Sequence, residues 1–318
     1  MSRKNIVLGI FIIIVLFFFA SFPFYATGYG ISFFITLLMY FIIAQSWNFL
    51  SGYTGYVSFG HVAFFGAGAY AAAIFITRYS IHWIFASICG GLVAALLALL
   101  IGWPALRLRG PYFAIVMLGF AGVLKNVAVL WKKVTFGGIG ISLPPMLSMK
   151  PVYYSMLIVA MAITLLIYIV TKTKFGLRLI SIREDEVAAT SMGINATFYK
   201  IVTFLISAFF TGIAGAIFAW YSSFIEPVST FDIKISIEVI IMSLLGGAGT
   251  VAGPLFGAAI IVLGGEIFWT KFPLLHEAIL GILIVVVILF LPEGIMGLFK
   301  RDKYEEKRNL LIWMFKKK

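Results

Sequence analysis

Runs of apolar residues follow one another along almost the whole of this chain, at 5–24, 31–50, 57–77, 82–103, 111–131, 152–171, 198–222, 236–248, 252–270 and 274–292. An uninterrupted apolar run of ~18 residues or more is what carries an α-helix across a bilayer. Most of these runs are long enough to span, and 236–248 is short. With 62% hydrophobic and only 11% charged residues, a soluble fold would have to build its water-facing exterior from apolar side chains, whereas soluble domains carry about 25% charged residues. The expectation is an all-α polytopic membrane protein with about ten hydrophobic segments, forming a single transmembrane domain over 1–318. The first run exceeds the ~7–15 residues of a signal-peptide core and is read as a retained helix. The single cysteine, Cys89, rules out an intramolecular disulfide and is read as a small packing residue.

A formal charge of +12 could suit nucleic acid, but its placement explains it better. With the N-terminus inside, 17 of the 24 Lys and Arg fall on the cytoplasmic side and six outside, with Lys125 within a segment. This is the asymmetry of the positive-inside rule, and no nucleic-acid partner is expected. Both termini, the 172–197 segment and the tail 300–318 are then cytoplasmic. The count also makes 236–248 and 252–270 two short passes with a sharp turn at "GGAGTVAG" (246–253), since one long span would leave the basic tail outside.

A second turn falls at "SGYTGYVS" (51–58), between the second and third passes. Gly55, Gly60, Phe65, Gly66 and Ala67 follow this break, as Gly249, Gly253, Phe256, Gly257 and Ala258 follow the other. Downstream, "PALRLRG" (104–110) and "LPEGIMG" (291–297) each end a membrane segment, so the chain is read as carrying a weak parallel internal repeat. Non-helical backbone at membrane depth is tolerated where it is buried in protein or lines a wet cavity, and transporters use broken helices to offer backbone dipoles to a solute. Gly52, Tyr53, Thr54, Gly55, Ser58 and His61, with Gly246, Gly247 and Gly249, are therefore the candidate lining of a translocation path. A satisfied histidine near a helix end is the competing reading of His61. Ala63, Ala67 and Ala71, like Gly249, Gly253 and Gly257, recur every four residues, the spacing that lets membrane helices pack closely.

Chemistry for an enzyme is missing. There is no phosphate-binding G-x-x-x-x-G-K-[ST] loop, "HEAIL" (276–280) lacks the second histidine of a zinc-protease motif, and "GYVSFG" misses the nucleophile-elbow spacing. His61, His82 and His276 are scattered, so no metal or other cofactor is expected. No Asp, Glu and His chain of the kind used for proton relay lies within the membrane segments. The longest internal polar stretch, "KTKFGLRLISIREDEVAATSMGINATFYK" (172–200), fits a short amphipathic surface helix with Leu179, Ile182, Ala189 and Met192 on one face. Arg183, Glu184, Asp185 and Glu186 cluster between them. An interfacial loop and a helix docking into another protein are both open on spacing alone.

Five stretches together identify a family: "GYTGYVSFGHVAFFGAGAYAAA" (52–73), "LRLRGPYFAIVMLGF" (106–120), "GLRLISIREDEVAATSMGI" (176–194), "LLGGAGTVAGPLFGA" (244–258) and "LPEGIMGLF" (291–299). In this order they resemble the LivM-type permeases of bacterial branched-chain amino acid ABC importers. The resemblance implies a non-enzymatic permease in the cytoplasmic (inner) membrane, moving branched-chain amino acids or a related small solute such as urea or a short amide. It implies as partners a sister permease subunit, two cytoplasmic ATPase subunits and an extracytoplasmic solute-binding protein, within membrane lipid. Glu186, Ala188, Ala189 and Gly193 match the family's E-A-A…G coupling loop, with Val187 interposed; Arg183, Glu184 and Asp185 complete the expected ATPase-coupling segment. The outer loop "VTFGGIGISLPP" (134–145) is short of polar residues, and the tail "NLLIWMFKKK" (309–318) lies outside the family pattern. A channel or facilitator that works without ATP is the alternative, and it would need no docking helix at 176–194.

Overall fold

The computed structural model describes residues 19–108, 110–271, 281, 285 and 294–297. Most of the first apolar run, Arg109, nearly all of 274–292 and the tail 300–318 lie outside the described residues. Helical residues 19–25 lead into α1 (Gly28–Trp47), then α2 (His61–Tyr79), α3 (Trp83–Ala105), α4 (Pro111–Leu130) and the single turn α5 (Lys132–Thr135). After these come α6 (Lys150–Thr171), α7 (Lys174–Glu184), α8 (Glu186–Ser191), α9 (Ala196–Ser222), α10 (Pro227–Thr230), α11 (Ile233–Gly246) and α12 (Gly253–Lys271). Six helices among the described residues are long and apolar enough to cross a membrane: α1 with its extension to Gly52, α2, α3, α4, α6 and α9.

The helices start where short polar side chains cap them. Thr27 accepts the Gly30 N–H at the head of α1, and Asn195 accepts that of Phe198 at the head of α9, each satisfying an otherwise orphaned donor. The 27-residue α9 is the axis of the bundle, packed on α2 and α3. It comes so close that a Cβ on Gly68 would sit 2.1 Å from the Gly212 carbonyl oxygen, and one on Gly215 2.0 Å from that of Phe65. Such contact between backbones requires small residues on both helices. α6 packs against α1, with Val152, Tyr153, Met156 and Ala160 in the same buried cluster as Ile35, Leu38 and Ile42. Leu92, Leu96 and Leu100 of α3 and Ile115 and Leu118 of α4 are exposed, as an exterior facing lipid tails should be.

Two stretches depart from the sequence expectation. The 172–197 segment is two helices rather than one. Asp185 adopts an extended backbone (φ −156°, ψ 108°) and its carboxylate accepts from the Val187 and Ala188 N–H groups, ending α7 and capping α8. Leu179, Ile182 and Ala189 are buried as expected. Met192 is instead 83% exposed, because α8 ends at Ser191 and leaves Met192 beyond the packed face. The loop after α4 forms a two-residue ribbon, β1 (Ile141–Ser142), antiparallel to β2 (Phe224–Ile225) with Ile141 opposite Ile225, which ties it to the end of α9.

Candidate functional site

The first break begins before its glycines. At Asn48–Gly52 the helix widens into a π turn, a local loosening of the hydrogen-bond ladder frequently found at functional sites; open backbone follows from Gly55 to Gly60. The polar side chains Gln45, Ser46, Asn48 and Ser51 that precede and form this turn are all buried. Ser46 donates to the Ile42 carbonyl and Ser51 accepts the Ser58 N–H, whereas Gln45 and Asn48 find partners in the second break, about two hundred residues away. The Asn48 Nδ2 donates to the Thr250 carbonyl at 2.8 Å while its Oδ1 accepts the Gly249 N–H at 2.7 Å. Gln45 Nε2 donates to the Val251 carbonyl at 3.0 Å. The two glycine-rich breaks are thus stitched together by Asn48 and Gln45, side chains at the first break that satisfy backbone groups of the second.

Arg183, in the last turn of α7, reaches the same place. Its guanidinium donates to the Gly52 carbonyl at 2.7 Å. The fit leaves no room for a methyl: a Cβ on Gly52 would lie 2.6 Å from the Gly249 nitrogen, and one on Gly249, whose φ is +76°, would lie 2.4 Å from the Arg183 guanidinium. Tyr53 is buried beside this contact; burial pushes its phenol pKa up, with the Arg183 charge opposing.

A second node ties α8 to the bundle. The Lys200 ammonium of α9, 2% exposed, donates to Glu186 Oε1 at 2.9 Å, to the Tyr56 hydroxyl at 2.8 Å and to the Leu106 carbonyl at 3.0 Å. Tyr56 in turn donates to Glu186 Oε2. All three ammonium hydrogens are used, and the node joins α8, the first break, the end of α3 and the start of α9. Sequence reading placed Lys200 among the loop cations and missed it. The one signal available was a lysine at the start of an otherwise apolar run, fourteen positions after an acidic residue.

The remaining candidates divide by location. His61 is fully buried, its Nε2 2.8 Å from the Ser207 hydroxyl, which donates to the Ser46 carbonyl at 2.7 Å. Trp47 donates its indole N–H to the Ser58 carbonyl, and Thr54 its hydroxyl to the Leu50 carbonyl. Gly52, Tyr53, Thr54, Ser58, Gly246 and Gly247 are buried, while Gly55 is exposed beside Arg183. Within the 172–197 segment, Arg183, Asp185 and Glu186 point their polar atoms back at their own chain and Ala189 is buried. Glu184, Val187, Ala188, Ser191 and Met192 are exposed. Gly193, at φ +85°, makes the turn between α8 and α9. Of the small-residue ladders, Ala63 and Ala67 are buried and Ala71 half-buried. Gly257 lies against the Met242 carbonyl and Gly253 against that of Gly247, whereas Gly249 lies in the turn ahead of α12.

Residues 29–288 match the family model described as branched-chain amino acid transport system / permease component. The chain is similar to the high-affinity branched-chain amino acid transport system permease protein LivM of Salmonella typhimurium, 27% identical over 87% of this chain and 72% of that protein. It is likewise 27% identical to the Escherichia coli protein of the same name, over 81% of this chain and 68% of that one. A shorter likeness, 36% identical over 31% of this chain and 33% of the relative, links it to the nucleoside ABC transporter permease protein NupC of Lactococcus lactis. No solved structure matches the chain.

Proposed function

The chain belongs to the branched-chain amino acid transport permease family, a multi-pass inner-membrane permease, and from that premise we propose that it moves branched-chain amino acids, or a related small solute, as one permease subunit of an ABC importer. ATP hydrolysis is assigned to two cytoplasmic ATPase subunits, and the pore to this chain with a sister permease. A solute-binding protein on the far side delivers the solute. In this reading both termini are cytoplasmic, α11 and α12 are two short passes turning at 247–252, and the full chain has ten segments, with a weak repeat relating the two breaks.

The observation that carries the reading is the convergence of both breaks on Arg183. An ATPase seated on the exposed edge of α7–α8, at Glu184, Val187, Ala188, Ser191 and Met192, would move Arg183 with it. The Gly52 carbonyl is bonded to that guanidinium, and Asn48 joins Gly52's turn to Gly249 and Thr250, so one displacement reaches both breaks. Lys200 and Glu186 anchor the other end of the segment to α9 and α3. Gly52, Tyr53, Thr54, Gly55, Ser58, His61, Gly246, Gly247 and Gly249 are then the hinge and wall of the path, re-exposed as the stitched breaks shift. Two members of the coupling cluster take a different role from the one composition suggests: Asp185 and Glu186 shape and anchor the segment, and Glu184 with the apolar edge faces the ATPase.

The test is capture of the ATPases by variants of that edge. Val187→Arg and Met192→Glu should abolish co-purification of the ATPases from the native membrane while the chain still inserts. Unchanged capture by both would remove the docking assignment.

A further inference from the structure

A groove of about 180 Å³ opens on the outside of the bundle between α2, α3 and α4, away from the breaks. Small residues hollow it: Ala67, Ala71 and Ala128 lie in its lining, beside Leu97, Leu124 and Val127. Val127 is 43% and Trp131 56% exposed, so the groove is open to whatever surrounds the helices at that depth. An engineered apolar cavity of about 150 Å³ holds a benzene-sized molecule, so this groove has room for a stretch of one aliphatic chain. Its apolar wall offers nothing to the charged groups of an amino acid.

The end of the groove singles out the occupant. Basic residues crowd the end of the groove at Trp131 and Val134. Lys132 and Lys133 lie between these two lining residues and are exposed. Arg78 donates to the Lys133 and Val134 carbonyls and lies 5.5 Å from the Phe136 ring. Trp131 at the rim is the residue type that marks the lipid headgroup level.

We propose that this groove binds one acyl chain of an anionic phospholipid, with the Lys132 and Lys133 ammonium groups holding its headgroup. The surrounding medium supplies the tail, and the basic pair selects the charge. Residues 67 and 71 are small in this reading because a larger side chain would occupy the space of the tail.

The experiment is native mass spectrometry of the full-length chain, purified with whatever subunits accompany it, titrated with phosphatidylglycerol or with phosphatidylcholine. The wild type should retain phosphatidylglycerol about thirtyfold better, as two basic residues near an anionic headgroup imply. K132E/K133E should erase the preference, and Ala71→Leu should lose the bound lipid of either kind. Equal retention of both lipids by the wild type, or full retention by Ala71→Leu, would overturn the proposal. A benzoylphenylalanine placed at Trp131, which lines the rim of the groove and is already a large aromatic residue, and irradiated in intact membranes gives an answer even if Ala71→Leu fails to fold. Labelled lipid supports the site, and a cross-link to another polypeptide shows a protein interface instead.

Discussion

Lys200 is the residue whose removal should cost most. Its ammonium is buried and its three hydrogens go to Glu186, Tyr56 and the Leu106 carbonyl, so Lys200→Met leaves the largely buried Glu186 carboxylate without its countercharge, held by Tyr56. Breaking a buried pair from one side costs about 3–5 kcal/mol, and thermal unfolding in detergent should show that loss. Adding Glu186→Gln should recover part of it, because the charge left behind disappears; a double variant no more stable than Lys200→Met would show that the pair is not coupled. At the break, Gly249→Ala meets two penalties: a left-handed backbone that disfavours a side chain by roughly 1–2 kcal/mol, and contact with the Arg183 guanidinium. Solute uptake should fall to background while membrane insertion persists, and a wild-type rate would remove Gly249 from the moving parts.

At the scale of elements, the proposed mechanism makes α7 and α8 a lever with two attachments, Arg183 near its centre and Glu186 just after the Asp185 break. Arg183→Ala should leave the ATPases bound but disconnect ATP hydrolysis from uptake, whereas Glu184→Lys should weaken ATPase capture itself. If Arg183→Ala transports normally, the contact with Gly52 is structural only. How far such elements can be read from sequence depends on the range of the forces involved. The spanning helices were legible because the bilayer imposes length and apolarity on each helix separately, and the turn at 247–252 because charge placement and glycines coincide. The split at Asp185 was not, since an aspartate between two helical patterns reads equally as a surface charge or a cap. The Asn48 bridge, the Lys200 node and the inward turn of Glu186 were hidden for a stronger reason: each joins residues far apart in sequence, and only packing supplies the partner. Both breaks were visible as glycines; that they meet was not.

For the molecule as a whole, family membership fixes a permease, and the geometry adds a connection between α7–α8 and its two irregular turns. The proposed topology has its own check. Reporter fusions after Thr171 and after Lys318 should both read cytoplasmic, and a fusion after Ser80 periplasmic; opposite signals would invert the assignment of α7–α8 as the ATPase edge. The central claim is that partner ATPases, acting through that edge, drive solute through this chain. The measurement that tests it most directly is uptake of labelled leucine, isoleucine and valine into proteoliposomes holding the complex purified on this chain, with the solute-binding protein outside and ATP sealed inside. The account predicts uptake only with ATP, lost in Arg183→Ala although ATP is still hydrolysed. Solute flux through the chain alone, unchanged when ATP is omitted, would contradict it and make the protein a channel.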